Sequence, residues 1–236
     1  MKENVQLGPQ GSLLFRVVAF FSRLQLAYLI RSVRHPRFLV VIFVFSAGAI
    51  ALGIITLAAY LIELPLLFPP LGPSAFILFH TPMSITASPR NVVLSHTMAV
   101  VVGLGSLGLV GMIWSNASLS DPSVMNWYRV MVIALSMGLI GLIMVTMRCV
   151  HPPAAASALI AAMGYLANAA QVLGLLAAVV LLVLEAFLFN RMIGGLPYPV
   201  WRADPTVSRS YGVLAGIPEV NTNFWQQLAT KIFQHR

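Results

Sequence analysis

The sequence predicts an all-α polytopic membrane protein made of two inverted repeats, each with a proline-broken half-helix between two long spans. Three observations predict it. The 236 residues are 59% hydrophobic and only 8% charged, with a mean hydropathy of +0.89, whereas a soluble domain carries about a quarter charged residues. Four apolar runs approach or exceed the roughly 20 residues that cross a bilayer. Between them, apolar sequence is interrupted at Pro69-Pro70 and again at Pro152-Pro153. A proline removes a backbone donor and breaks a helix, and lipid tolerates this only where the freed groups face protein or a water-filled cavity.

The elements follow in order. Across 13–34, Arg16, Arg23 and Arg31 recur about two turns apart and share one helical face. This suits a basic helix lying in the interface and drawn to anionic lipids; a spanning helix would hold two mid-segment arginines at ~3 kcal/mol each. Residues 38–62 form the first span, ending at Glu63-Leu64-Pro65. Residues 66–80 are apolar but broken by three prolines and a glycine. A polar connection, 81–95, contains Pro89-Arg90-Asn91, and residues 96–114 form a glycine-rich span whose small residues let helices approach closely.

Residues 115–126 form a polar connection with Asp121 and neither Lys nor Arg. Residues 127–147 span again, with Trp127 and Tyr128 as interfacial anchors. The break Arg148-Cys149-Val150-His151-Pro152-Pro153 leads into a short apolar helix over 154–164. Residues 165–171 turn the chain, 172–189 cross once more, and Asn190-Arg191 ends that span. The prolines of the polar tail argue against a further crossing. This gives an N-terminal segment at 1–37, a transmembrane domain at 38–190 and a tail at 191–236, with about six membrane segments.

Laying 69–78 over 152–161 matches Pro69 with Pro152, Pro70 with Pro153, Ser74 with Ser157, Ala75 with Ala158 and Ile77 with Ile160. Each copy lies between two long spans, so repeats are expected at 38–114 and 127–190. If both broken segments cross, the second repeat is inverted and both termini are cytoplasmic. If both re-enter, Arg90 and Arg148 move outside. The positive-inside rule favours the crossing arrangement, in a bacterial plasma (inner) membrane.

Broken helices meeting at the midplane present half-helix N-termini, with unpaired N–H groups and the positive dipole end, to a small anion. Prolines fit such starts, where a missing donor costs nothing. The candidate substrate-binding residues are therefore His151, Pro152, Pro153, Ser157 and Ser74, with Arg90, Asn91 and Arg148 as charges and donors toward the cytoplasmic mouth. Each has a plainer reading: His151 capping carbonyls, Ser74 and Ser157 packing helices, Arg90 and Arg148 orienting the chain. His80, His96 and His151 show no metal-ligand spacing, and no metal or cofactor is expected. Glu185 is expected near the cytoplasmic interface, paired with Arg148 or Arg191. Cys149 stands alone, so no disulfide framework exists, and it reads as a small buried hydrophobe. The net charge of +8 sits at the ends and in short connections without a nucleic-acid-binding pattern, so nucleic acid is excluded.

The run His151-Pro152-Pro153-Ala154-Ala155-Ala156-Ser157-Ala158-Leu159-Ile160 resembles the signature of the HPP family of integral membrane proteins. Ser88-Pro89-Arg90-Asn91 with His96 is similar to that family's Q-P-R-N…G-H element, and Asn190-Arg191 with Tyr198-Pro199 to its N-R…Y-P ending. The chain departs from the family pattern at Ala155, Ser157, Ser88 and Ser95, where Gly, Thr, Gln and Gly are usual. The resemblance implies a membrane protein usually described with four transmembrane helices, and a link to nitrite transport known for cyanobacterial and chloroplast members. The function expected is a transporter or channel for a small inorganic anion, nitrite first among them. A membrane anchor or assembly subunit without transport is the alternative, and an intramembrane serine–histidine enzyme is a third reading that no G-x-S-x-G element supports. A homo-oligomer is left open.

Overall fold

The computed structural model describes residues 20–33, 36–204 and 206. Among them every regular element is helical. In chain order these are α1 (Leu26–Ser32), α2 (Pro36–Ile62), α3 (Leu71–His80), a 3₁₀ turn (Ile85–Ala87), α4 (Pro89–Ile113), α5 (Trp127–Thr146), α6 (Ala154–Ala162) and α7 (Ala169–Leu188), which runs into a π turn (Phe189–Ile193). Four of them, α2, α4, α5 and α7, are long and apolar enough to cross a membrane. The chain is an integral multi-pass membrane protein.

Helix starts follow local chemistry. Asn126 caps α5 by accepting from the Arg129 amide. Asn168 and Gln171 form a reciprocal capping box at α7, which begins three residues before the expected 172. The larger departure is α4. The sequence places 89–95 in a polar connection, but Ser88 is an extended N-cap, Pro89 opens the helix, and the polar residues lie on its first two turns. Proline at that position is preorganised for a helix start. Asn91 and Ser95 are buried and Arg90, partly exposed, also bonds backbone, which is why polarity misreads them as loop.

Packing fixes the course of the chain. α3 lies against α2 and α7, and α6 lies against α5 and α4; α4 also meets α5 and α7, and α7 meets α2. One buried cluster joins Ala47, Ala51 and Ile55 of α2 with Leu71 and Leu78 of α3 and Ala178, Leu182 and Ala186 of α7. A second joins Ala99, Ile140, Met144, Ala154 and Ala158. Alanines recur in both and make up most of the second, as expected where lipid removes the hydrophobic drive and close backbone approach holds helices together.

The short helices α3 and α6 begin beside each other and run apart. Their first turns are joined by Ser74 Oγ and His151 Nε2 at 3.0 Å. At its far end α3 offers the Leu78 carbonyl to Asn190 Nδ2 at 3.0 Å, just beyond α7. At its far end α6 offers the Ala162 carbonyl to Arg129 Nη1 at 3.3 Å, in the first turn of α5. The 20 residues of α7 start shortly after α6 and put about 30 Å between those two ends.

Of the basic N-terminal helix expected at 13–34, Arg16 lies outside the described residues. Within them the chain is helical at 20–24, bends at Gln25, and continues as α1. Phe20, Phe21 and Leu24 are exposed. The bend is pinned to the end of α7: the Ala27 amide donates to the Gly194 carbonyl at 2.8 Å, and Gln25 Nε2 donates to the Met192 carbonyl at 3.0 Å.

Two helices approach closely at Gly103 of α4. A Cβ there would stand 2.5 Å from the Ala158 carbonyl oxygen and 2.5 Å from Ala161 Cβ, both on α6. Gly103→Ala is therefore expected to cost about 1–3 kcal/mol through overpacking. Gly105→Ala, where nothing lies within 4 Å, is expected to be neutral or slightly stabilising. Thermal unfolding of the two variants in one detergent checks the contrast; equal melting temperatures would contradict the packing.

Candidate functional site: a polar cluster where two short helices begin

The break before α6 is built from α5 onward. The α5 helix closes with Arg148 in the left-handed region (φ 50), and the Cys149 amide reaches back to the Met144 carbonyl at 3.0 Å, the arrangement glycine usually supplies. The chain then turns inward, and its next carbonyls lack helical partners. α4 supplies them. Arg90 Nη2 donates to the Met147 carbonyl at 3.3 Å and Nη1 to the Arg148 carbonyl at 3.0 Å. Ser95 Oγ donates to the Cys149 carbonyl, and Asn91 Nδ2 to the Val150 carbonyl at 3.4 Å. Four consecutive carbonyls are thus met by three side chains of one helix.

Beyond this cap lies a cluster of four side chains with no exposed surface: Ser74, His96, His151 and Ser157. His96 stands between the two short helices, with Nε2 3.1 Å from Ser74 Oγ and Nδ1 2.7 Å from Ser157 Oγ. His151 Nε2 lies 3.0 Å from the same Ser74 Oγ, and its Nδ1 lies 2.8 Å from the Thr86 carbonyl. That carbonyl can only accept, so Nδ1 carries the hydrogen. The imidazole centroids are 5.3 Å apart. Ser74 Oγ is also 2.9 Å from the Pro70 carbonyl.

The anion-site expectation rested on free amides at the two helix starts, and these amides are not free. In α3 the Leu71 and Gly72 amides donate to the Phe68 and Pro69 carbonyls at 3.0 and 3.3 Å; in α6 the Ala154, Ala155 and Ala156 amides donate to His151, Pro152 and Pro153 at 3.0, 3.0 and 3.1 Å. Tight turns consume the donors that a free helix start would leave open. What converges is side-chain hydroxyl and imidazole.

Ser74, His151 and Ser157 are brought together as expected, with Pro152 and Pro153 forming the turn beneath them. Arg90 and Asn91 hold backbone instead of facing the cluster, and the Arg148 side chain is exposed. His96 was missed as part of the site. Its one signal was its place in the Pro89-Arg90-Asn91…His96 element, seven residues after Pro89, on the face that Ser88 and Pro89 turn inward.

Two buried charges lie away from the cluster. Arg129 Nη2 donates to the Leu119 and Asp121 carbonyls at 3.0 and 2.8 Å, tying the 115–126 connection to the far end of α6. Ser123 donates through its hydroxyl and amide to Asp121 Oδ1 at 2.7 and 2.9 Å and holds that carboxyl below its ordinary value. Glu185 is buried, and among the described residues neither carboxylate oxygen has a partner, so the expected pair with Arg148 or Arg191 does not form. Arg191 instead donates from Nε to the Tyr198 carbonyl at 2.8 Å and lies over the Phe187 ring at 4.8 Å. Tyr198 in turn donates to the Ala87 carbonyl at 2.8 Å, and burial pushes its phenol above the ordinary value.

Several residues in these contacts belong to the motifs singled out in the sequence, and a family comparison covers the same region. Residues 33–199 match the model of the HPP transmembrane region. The chain belongs to the HPP family. No curated protein and no solved structure matches it. In this HPP protein the Pro-Arg-Asn…His element and the His-Pro-Pro element form one unit, the first capping the backbone that the second breaks.

The shortest link of the cluster, His96 to Ser157, gives a test of its energetics. His96→Phe and Ser157→Ala, made singly and together, are expected to show a coupling of about 1–2 kcal/mol in a reversible denaturant titration. Strictly additive losses would mean the pair is not bonded.

Proposed function

We propose that this HPP protein is a transporter of a small inorganic anion, with its site between α3 and α6 at Ser74, His96, His151 and Ser157. Nitrite is the first candidate, on the family resemblance. The observation that carries the reading is the meeting of two discontinuous helices, from opposite directions, at a fully buried polar cluster. Polar groups at membrane depth are costly and tend to mark solute pathways, and such sites recur where broken helices of inverted repeats meet.

In this reading 38–114 and 127–190 are inverted repeats, both broken segments cross, and the membrane holds six segments. The contacts support it, since they map onto themselves when the repeats are exchanged. α2 on α3 corresponds to α5 on α6, α4 on α6 to α7 on α3, and α4 on α5 to α7 on α2. The offset that carries Pro69 onto Pro152 also carries Pro65 onto Arg148 and Asn91 onto Gly174. Gly174 is pressed against the Pro65 carbonyl, as the Arg90–Asn91 turn is pressed against 147–150. The ends of α7 and α5 and the start of α4 then share the cytoplasmic face with both termini. That face carries Arg90, Arg148, Arg191 and Arg202, while Glu63, Asp121 and Arg129 lie opposite.

The Ser157–His96 pair is the one feature shared with a serine hydrolase, but the α6 amides that would stabilise an oxyanion are already bonded within their own turn. Transport suits the cluster better. Arg90 and Asn91 act as positioning residues for the broken backbone, and the hydroxyls and imidazoles exchange their mutual hydrogen bonds for the anion.

The test is uptake of nitrite, nitrate and formate into proteoliposomes holding the full chain, corrected for protein-free vesicles. Wild type is expected to transport at least one of them. His151→Ala is expected to lower its rate at least tenfold while eluting as a folded species. Uptake unchanged in His151→Ala would remove the site from this cluster.

A further inference from the structure

The hydrogen count around Ser74 points beyond a bare anion site. Its hydroxyl has one hydrogen and lies within bonding distance of three groups: the Pro70 carbonyl at 2.9 Å, His151 Nε2 at 3.0 Å and His96 Nε2 at 3.1 Å. The Thr86 carbonyl fixes the His151 hydrogen on Nδ1. While His151 is neutral, its Nε2 is a lone pair, and Ser74 donates to it. Ser74 then accepts from His96 Nε2–H, and His96 Nδ1 accepts from Ser157. The hydrogens run head to tail from Ser157 to Thr86, and the Pro70 carbonyl keeps the Ser74 amide alone, at 3.2 Å.

One added proton completes the set. His151 Nε2–H then donates into Ser74, whose own hydrogen turns to the Pro70 carbonyl, and no heavy atom moves. The same proton on His96 Nδ1 would reverse the Ser157 contact and leave that hydroxyl with no acceptor, because among the described residues its one hydrogen-bond partner is His96. Two filled patterns therefore exist, differing by one proton at one place.

We propose that His151 is the proton-carrying residue of this transporter, loaded through the Ser74 hydroxyl switch, and that anion and proton move together as a neutral pair. The proposal rests on the transport reading above. An anion brought into this buried cluster needs a counter-charge, since an unpaired buried charge is very costly. The fixed cations do not supply it. The Arg90 guanidinium is held by the Met147 and Arg148 carbonyls, and Arg129 by carbonyls at the far end of α6. The Arg148 side chain is exposed.

The other titratable groups on the surrounding elements are His80 at the far end of α3, Cys149 in the break, Glu185 on α7 and Tyr198 beyond it. No hydrogen bond joins Cys149, Glu185 or Tyr198 to either imidazole, and α6 carries no titratable side chain. The balance of the step is simple. A proton delivered with the anion adds to the Nε2 lone pair of His151 on one side, the site is then neutral overall, and both leave on the other.

Two measurements test this. In ¹⁵N-histidine-labelled full-length protein in bilayers, one histidine is expected to gain its second ring proton between about pH 8 and about pH 4. That signal should vanish in His151→Gln, while His96 keeps a bare Nδ1. Ser74→Ala removes the acceptor of the new N–H and is expected to move the transition down by about one to two pH units. It carries the assignment if His151→Gln does not fold. A second proton on His96, or none on either ring, overturns the proposal.

In proteoliposomes an inward gradient of one pH unit is expected to drive up to about tenfold accumulation of the transported anion, faster than in protein-free vesicles. A potassium diffusion potential is expected to have no effect, and Glu185→Gln is expected to keep the pH drive. Flux that follows the potential and ignores pH overturns proton coupling and leaves transport standing. Loss of the pH drive in Glu185→Gln, with His151 singly protonated, moves the proton to α7 and overturns it as well. Absence of flux for every anion overturns the transport reading itself.

Discussion

The structure depends on how four adjacent carbonyls, those of Met147 to Val150, find donors inside a membrane protein. Two prolines at 152–153 stop the helix from continuing, and lipid offers nothing in exchange. Arg90, Asn91 and Ser95 meet the debt from the first turns of α4. The Cys149 and Val150 carbonyls take buried or part-buried bonds, where an unmet carbonyl costs about 1–3 kcal/mol, so this part of the break depends on α4 lying alongside it. That obligation also forces α4 and α6 together, which Gly103 permits by presenting no side chain to Ala158 and Ala161.

Once α4 is fixed there, His96 follows. As the residue after Ser95, it faces the starts of both short helices, and its two ring nitrogens are placed to bond Ser74 and Ser157 together. The cluster is therefore a product of the cap, and a change at Arg90 or Ser95 acts on the site through the position of α4. The arrangement is also asymmetric. The second break is capped by charged and amide side chains, whereas at the corresponding place α7 offers Gly174 to Pro65 and relies on close approach alone. In the inverted-repeat reading proposed above, the two halves share a course and differ in how firmly each break is held.

Much of this was legible in one dimension. The four spans came from apolar run length, the breaks from paired prolines, and the correspondence of Ser74 with Ser157 from aligning 69–78 with 152–161. Polarity was a poorer guide. It placed 89–95 in a connection, because Arg90, Asn91 and Ser95 look solvated until the backbone they bond is seen. It paired Glu185 with an arginine, because a carboxylate in lipid ought to have a partner, and among the described residues both oxygens lack one. It also left amides free at the starts of α3 and α6, where tight turns take them up.

The sequence by itself determined the class of protein, the number of long helices and the places where helices must break. Hydropathy, length and proline are local properties that a bilayer reads directly. Only the tertiary structure decided what the breaks bring together. Which donor meets a stranded carbonyl, and which imidazole nitrogen faces which hydroxyl, depend on residues 50 to 80 positions apart, such as Ser95 with Cys149 and Ser74 with His151. Such pairings have no period along the chain, since they arise when packing brings distant segments within the 3 Å reach of a hydrogen bond.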